Sequence, residues 1–269
     1  MPENIKITVP RSLVESTHLY IAVPCYDNSV TEPFMMSLIR TLLNLKEIGL
    51  KATVATMSDS LISRSRNALV ARFMGNPRAT HMLFIDSDIE FKPEHVIKLL
   101  WHDKDIVVGA YPVKELQLDA AQKQVIEGVS IRDALHRSAR FAINAVVPGQ
   151  ESILLDKGAV NILDAATGFM LFKRGVIERM IEAYPELRYL DDTQTLTSEE
   201  KKYAYAFFNS YIDDDGRFLS EDYGFSRYWQ KLGGKIWLDP SLELVHVGRY
   251  RYTGSAAAYI NSFVEEEIV

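Results

Sequence analysis

Between residues 18 and 110 the chain alternates short apolar, β-branched runs with segments of helical spacing, and this alternation limits the fold more than any other feature. Leu19–Val23, Ala52–Thr56, His81–Ile85 and Asp105–Ala110 read as strands, the first ended by Pro24. Thr31–Ile48 carries Phe34, Leu38, Leu42 and Leu45 at helical spacing and closes on Gly49. Ile62–Met74 reads as a second helix, and Pro93–His102 as a third with proline in its first turn. The order β-α-β-α-β-α-β predicts a parallel sheet with helices on both faces. Ligands of such sheets bind beyond the carboxyl ends of the strands. That directs attention to Pro24–Asn28, Met57–Arg66, Asp86–Asp88 and Tyr111–Lys114.

The second half follows another plan. Leu116–Asn144 reads as two helices broken near Gly128, and Ala142–Val147 and Ser152–Leu155 as strands around a Pro148–Gly149 turn. Val160–Lys173 holds two strands with a break at Thr167–Gly168, followed by a helix at Arg174–Tyr184. Leu190–Lys202 is polar without apolar period and reads as a mobile surface loop. Tyr205–Ile212, an Asp213–Gly216 turn, a helix at about Glu221–Leu232 and strands at Lys235–Leu238 and Leu242–Val247 follow. The mixed strands are expected to extend the parallel sheet antiparallel, within a single domain spanning residues 1–269.

Composition narrows the functional classes. Thirty Lys and Arg against 36 Asp and Glu leave a net charge of −6, which disfavours a dedicated duplex-DNA binder. No run of 18 apolar residues suggests a membrane span, and MPENIKITVPRS does not read as a signal peptide. One cysteine, Cys25, excludes an internal disulfide and a multi-cysteine metal site. A soluble protein of the reducing cytoplasm is the expectation.

Four segments carry candidate chemistry. Asp86-Ser87-Asp88 follows a buried strand, where two carboxylates can share one hard cation, Mg²⁺ or Mn²⁺, with diphosphate oxygens. The plain alternative is a solvated loop or helix cap. Ser220-Glu221-Asp222 opens a helix; capping explains it, and so does a carboxylate accepting a proton from an attacking hydroxyl. His246, on an apolar strand end, is either structural or a neutral imidazole completing an oxygen-rich metal site. In Asp59–Asn67, Arg64 and Arg66 with the serine hydroxyls and helix amides can hold diphosphate or ribose, or lie on a helix surface. No Walker A loop, G-x-G-x-x-G, G-x-S-x-G or H-E-x-x-H is present.

Taken in order, Val23-Pro24-Cys25-Tyr26-Asp27, Arg66-Asn67-Ala68, Phe84-Ile85-Asp86-Ser87-Asp88, Ala166–Arg174, Ser220-Glu221-Asp222 and His246 resemble a GT-A glycosyltransferase of the family 2-like group over residues 18–250. The resemblance implies a three-layer α/β/α, Rossmann-like GT-A sheet. A parallel nucleotide-sugar-binding half (18–112) would be followed by a mixed acceptor half (113–250) with a helical insertion (116–144) and a tail (251–269). Asp86-Ser87-Asp88 matches the DxD motif, whose last acid, here Asp88, binds Mn²⁺ or Mg²⁺ while Asp86 faces ribose or metal-bound water. Pro24, Tyr26 and Asp27 match the first nucleotide loop, Asp59 the base-reading acid, and Arg66 the donor-side arginine. Arg64, Asn67 and Ser87 join this donor set; Thr167-Gly168-Phe169 matches the acceptor-side strand. Glu221-Asp222 matches the ED motif of inverting members, with Asp222 as base, and His246 matches a further metal ligand.

The activity so implied is transfer of one sugar from a nucleoside-diphosphate sugar, UDP-linked before GDP-linked, to an acceptor hydroxyl. The acceptor would be a glycan, a lipid-linked glycan, a protein or a modified base of phage DNA, the last disfavoured by the acidic charge. The sequence lacks a Q-x-x-R-W motif like that of processive synthases, and the 116–144 insertion departs from the family pattern. A sugar-1-phosphate nucleotidyltransferase and a catalytically silent nucleotide-sugar- or carbohydrate-binding module are the rival classes. The first normally has a glycine-rich loop where this chain has Pro24-Cys25-Tyr26-Asp27-Asn28.

Overall fold

The structure, a computed structural model, describes residues 10–144 and 154–266. The first half runs α1 (Arg11–Ser16), β1 (His18–Cys25), α2 (Glu32–Glu47), β2 (Lys51–Ser58), α3 (Ile62–Gly75), β3 (His81–Ile85), β4 (Ile89–Glu90), α4 (Pro93–His102) and β5 (Ile106–Val108). Then come α5 (Leu118–Ile126), α6 (Ile131–Arg137), β6 (Ile143–Asn144), β7 (Leu155–Asp156), β8 (Ala159–Ile162), β9 (Asp164–Ala165), β10 (Phe169–Lys173) and α7 (Arg174–Ala183). The chain continues through β11 (Tyr211–Ile212), β12 (Phe218–Leu219), α8 (Glu221–Lys231), β13 (Ile236–Leu238), β14 (Val245–Val247), β15 (Arg251–Tyr252) and α9 (Ala256–Glu266).

The central sheet has the order β2-β1-β3-β10-β5-β13-β8-β7. β2, β1 and β3 pair parallel as the alternation requires. Alternate β1 residues face opposite layers, Tyr20 and Ala22 packing with Phe73 of α3, and Leu19, Ile21 and Val23 with Phe34 of α2. α7 and α8 add Val176, Ile177, Phe225 and Trp229 to the first layer; α4 adds Val96 and Leu99 to the second. This is the expected three-layer α/β/α, Rossmann-like architecture with a parallel half and a mixed half.

The mixed half is not an added flank. β10 lies between β3 and β5, antiparallel to both, so the third and fourth strands of the first half do not touch. The reason is hydrophobic: Phe169, Met170, Leu171 and Phe172 are all buried, and a strand apolar on both faces needs neighbours on both edges and layers on both sides. β14 leaves the central sheet and pairs with β4 and β15. Pro24 does not end β1, which runs to Cys25 with Pro24 opposite Met57. Leu190–Lys202 is anchored rather than free: Leu196 is buried and Arg72 of α3 donates to the Thr195 carbonyl at 3.0 Å. One inserted leucine leaves no periodic signal. The break at Gly128 occurs as expected, with a φ of +92° that favours glycine. The second insertion helix stops at Arg137, and Phe141 bridges back to Pro112. Residues 145–153, which hold parts of the expected Ala142–Val147 and Ser152–Leu155 strands and their Pro148–Gly149 turn, lie outside the described residues. Among the described residues no helix is long and apolar enough to cross a membrane.

Candidate functional site

The turn after β3 is fixed by backbone bonds before any side chain acts. The Asp86 N–H donates to the Gly168 carbonyl at 3.0 Å, and the Ser87 carbonyl accepts from the Thr31 N–H at the start of α2. Gly168 is required here, because a Cβ would collide with the Tyr111 hydroxyl and the Asp86 carboxylate. On the other side, Ser65 ties α3 to the end of β2 through the Met57 carbonyl, at 3.1 Å.

These constraints bring Arg66 into the interior. Its side chain is 3% exposed, and its guanidinium lies 3.1 Å from Asp86 Oδ1, 3.6 Å from Asp222 Oδ1 and 3.7 Å from Glu221 Oε1. A buried cation is tolerable only when paired, and three carboxylates outweigh the burial that would otherwise favour its neutral form. Arg66 Nε and Nη1 and Asp86 Oδ1 have no hydrogen-bond partner among the described residues. Asp222 stands in the first turn of α8, capped by Ser220, and accepts from Thr167 Oγ1 at 2.6 Å. Burial pushes its carboxyl up to about 6; Arg66 opposes the shift and Glu221 adds to it.

A second group adjoins the first. Asp88 receives Lys114 Nζ on Oδ2 at 2.5 Å, and its Oδ1 faces His246 Nε2 at 3.5 Å. Burial raises the Asp88 carboxyl, but His246 and Lys114 prevail and hold it below the usual range. His246 Nδ1 lies 2.8 Å from the Pro112 carbonyl. A carbonyl only accepts, so Nδ1 carries a proton and Nε2 is the nitrogen turned to Asp88. Tyr111 links the two groups: its ring packs edge-on against His246 at 5.1 Å, while its hydroxyl bonds Asp86 and receives the Gly168 N–H.

Asp86, Asp88, Arg66, Glu221, Asp222 and His246 are therefore drawn together from segments far apart in sequence. Other expected site residues stand elsewhere. Asp59 accepts both Arg64 nitrogens, at 2.5 and 2.7 Å, and the Leu61 N–H that opens α3. Arg64 is thus turned to Asp59 and away from Arg66. Asn67 is buried with both ends of its amide on the Phe208 backbone, at 2.9 and 2.8 Å, so it supports the site instead of lining it. Pro24 lies within β1, while Tyr26 and Asp27 follow it into solvent, Tyr26 71% exposed and Asp27 accepting from Ser29 Oγ. Ser87 contributes its carbonyl to α2. Among the described residues no set of three His, Cys, Asp or Glu side chains converges as a complete metal site. The roles of Tyr111 and Lys114 were not legible individually, although both belong to the strand-end segment that follows β5.

A cavity of about 740 Å³ opens beside this centre, between the α5–α6 insertion and the β14–β15 hairpin. Pro112 and Val245 in its wall adjoin Tyr111 and His246 in sequence. Arg132, His136, Tyr250 and Tyr252 give it mixed charge and aromatic surface.

No family model matches the chain, and no curated protein sequence matches it. Similar solved structures include A197 from STIV, at 13% identity and a TM-score of 0.46 with 86% of each chain covered. Another is a Bacillus anthracis protein provisionally described as a glucose-1-phosphate thymidylyltransferase, in complex with a sucrose, at 11% identity and a TM-score of 0.41, covering 86% of this chain and 89% of that one. A third is GalNAc-T7 with UDP, GalNAc and Mn²⁺, at 11% identity and a TM-score of 0.41, covering 87% of this chain and 44% of that one.

Proposed function

We propose that the chain is a glycosyltransferase that moves one sugar from a nucleoside-diphosphate sugar to an acceptor hydroxyl with inversion, with Asp222 as base. The observation that carries this reading is the part-buried, Thr167-bonded Asp222 carboxylate beside the Arg66–Asp86 pair. Its raised affinity for a proton suits a general base near neutral pH. The acceptor oxygen bonds to the anomeric carbon as its proton passes to Asp222. The sugar–phosphate C–O bond breaks on the opposite face, and the nucleoside diphosphate leaves with the electron pair. Arg66, with nitrogens still free to donate, holds the donor, and Glu221 keeps Asp222 basic.

Asp88 and His246 fit a divalent cation, because a carboxylate oxygen and an imidazole nitrogen face each other at 3.5 Å. Asp86, two residues before Asp88, would complete the set through water. Bound Mn²⁺ or Mg²⁺ would offset charge on the departing diphosphate. The donor nucleotide is assigned to UDP before GDP, and the acceptor to a glycan or lipid-linked glycan, in keeping with the net charge of −6.

A thermal-shift panel of nucleotides and sugar nucleotides, with and without Mn²⁺, tests the reading, since a native-state ligand raises the melting temperature. Stabilisation by UDP that requires Mn²⁺ and disappears in Asp88→Ala is expected. Insensitivity to EDTA and to Asp88→Ala would remove the metal role, and a preference for nucleoside triphosphate would favour a nucleotidyltransferase. A donor that binds without hydrolysis or transfer would leave a binding module.

A further inference from the structure

We infer that Lys114 is a resident counter-cation that a divalent ion must displace from Asp88, and that the freed ammonium then turns to the donor's diphosphate. The inference rests on the proposed metal role of Asp88 and His246.

The geometry points to it in three ways. Lys114 occupies Asp88 Oδ2 while the other oxygen faces His246 Nε2 at 3.5 Å, so the two atoms that would ligate an ion share one side of the carboxylate and a cation already holds the other. A divalent ion joining Asp88 to His246 would stand beside the ammonium, and like charges on one carboxylate repel. Second, Lys114 can leave: its side chain is 41% exposed and Asp88 is the only ion-pair partner it has among the described residues. Third, the path of its stem is built in. Its methylenes run past Gly248, two residues beyond His246, at a distance where an added Cβ would be in tight contact. The lysine thus emerges between the strand end that carries it and the strand end that carries the imidazole.

The consequence is a pair of effects with opposite signs. With no ion present, Lys114 neutralises Asp88 and lessens the repulsion within a site where Asp86, Glu221 and Asp222 share one arginine. With the ion in place, the displaced ammonium adds a positive charge for the donor's phosphates to that of Arg66, whose charge is shared among three carboxylates. Lys114 is therefore a positioning residue.

Mn²⁺ binding followed by electron paramagnetic resonance, and UDP binding by calorimetry at saturating Mn²⁺, separate these effects in wild type, Lys114→Met and Lys114→Arg. Lys114→Met is expected to bind Mn²⁺ tighter by on the order of tenfold and UDP weaker by a similar factor. Lys114→Arg, which keeps the charge, is expected to stay near wild type for Mn²⁺. A lysine that only supports the fold would move both affinities the same way, so parallel losses in Lys114→Met overturn the inference. Equal Mn²⁺ affinity in wild type and Lys114→Met overturns it while leaving the metal site standing. Failure of every protein to bind Mn²⁺ removes the metal site itself, and with it the lysine's role. Melting temperatures of the three proteins without ions report whether the substitutions disturb folding.

Discussion

Burial of the Asp222 carboxylate beside Glu221 raises the cost of ionising it, and Arg66 recovers only part of that cost. A carboxyl whose folded value exceeds its unfolded one destabilises the native state once both are ionised. The penalty is absent below the usual aspartate range, grows up to about pH 6 and is complete above it. Asp222→Asn is therefore expected to gain about 3 kcal/mol at pH 8 and almost nothing near pH 3, as read from denaturant melts at both values. The same substitution should retain donor binding and lose at least about a hundredfold in transfer. In wild type the acid limb of the rate profile should fall as Asp222 takes up its proton near pH 6. At this scale the carboxylates and His246 were legible, because strand ends and a helix start announce exposed chemistry. Lys114 was not: 26 residues separate it from Asp88, and no spacing rule connects them.

α3 and α8 bring Arg66 and Asp222 together through an intermediary that neither helix contains. Asn67 grips the Phe208 backbone at both polar groups, and the Phe208 ring stacks on Phe225 of α8 at 4.4 Å and 7°. The helix that places the arginine thereby also sets the helix that places the base. Asn67→Ala leaves a buried N–H and a buried C=O without partners, a loss of about 2–3 kcal/mol. A lowered denaturation midpoint with unchanged m-value would check it; full stability would show that water replaces the amide. The amphipathic periods of α2, α3 and α4 made these helices readable, down to both ends of α4. The segment around Phe208 gave no such signal, since its order comes from one distant asparagine.

At the scale of the whole molecule, Asp239 joins the two halves. It follows β13, and its buried carboxylate receives His102 at 2.7 Å and Lys98 at 2.9 Å from α4, with Ser241 donating to the same group. Burial alone would raise its carboxyl, but these donors hold it well below the usual range. The resulting stability is present above that range and is lost as pH falls through the folded value. Asp239→Asn should cost about 3 kcal/mol at pH 7, and its deficit against wild type should shrink toward pH 2. A deficit independent of pH would count against the ion pairs. The sequence by itself determined the alternating first half, its three-layer packing and the strand ends where chemistry collects, since apolar period and strand length are local properties. Only the tertiary structure decided that β10 parts β3 from β5, that Asn67 serves the fold, and that Lys114 reaches Asp88. Those are encounters between segments distant along the chain, set by which buried surfaces and charges can be satisfied together in three dimensions.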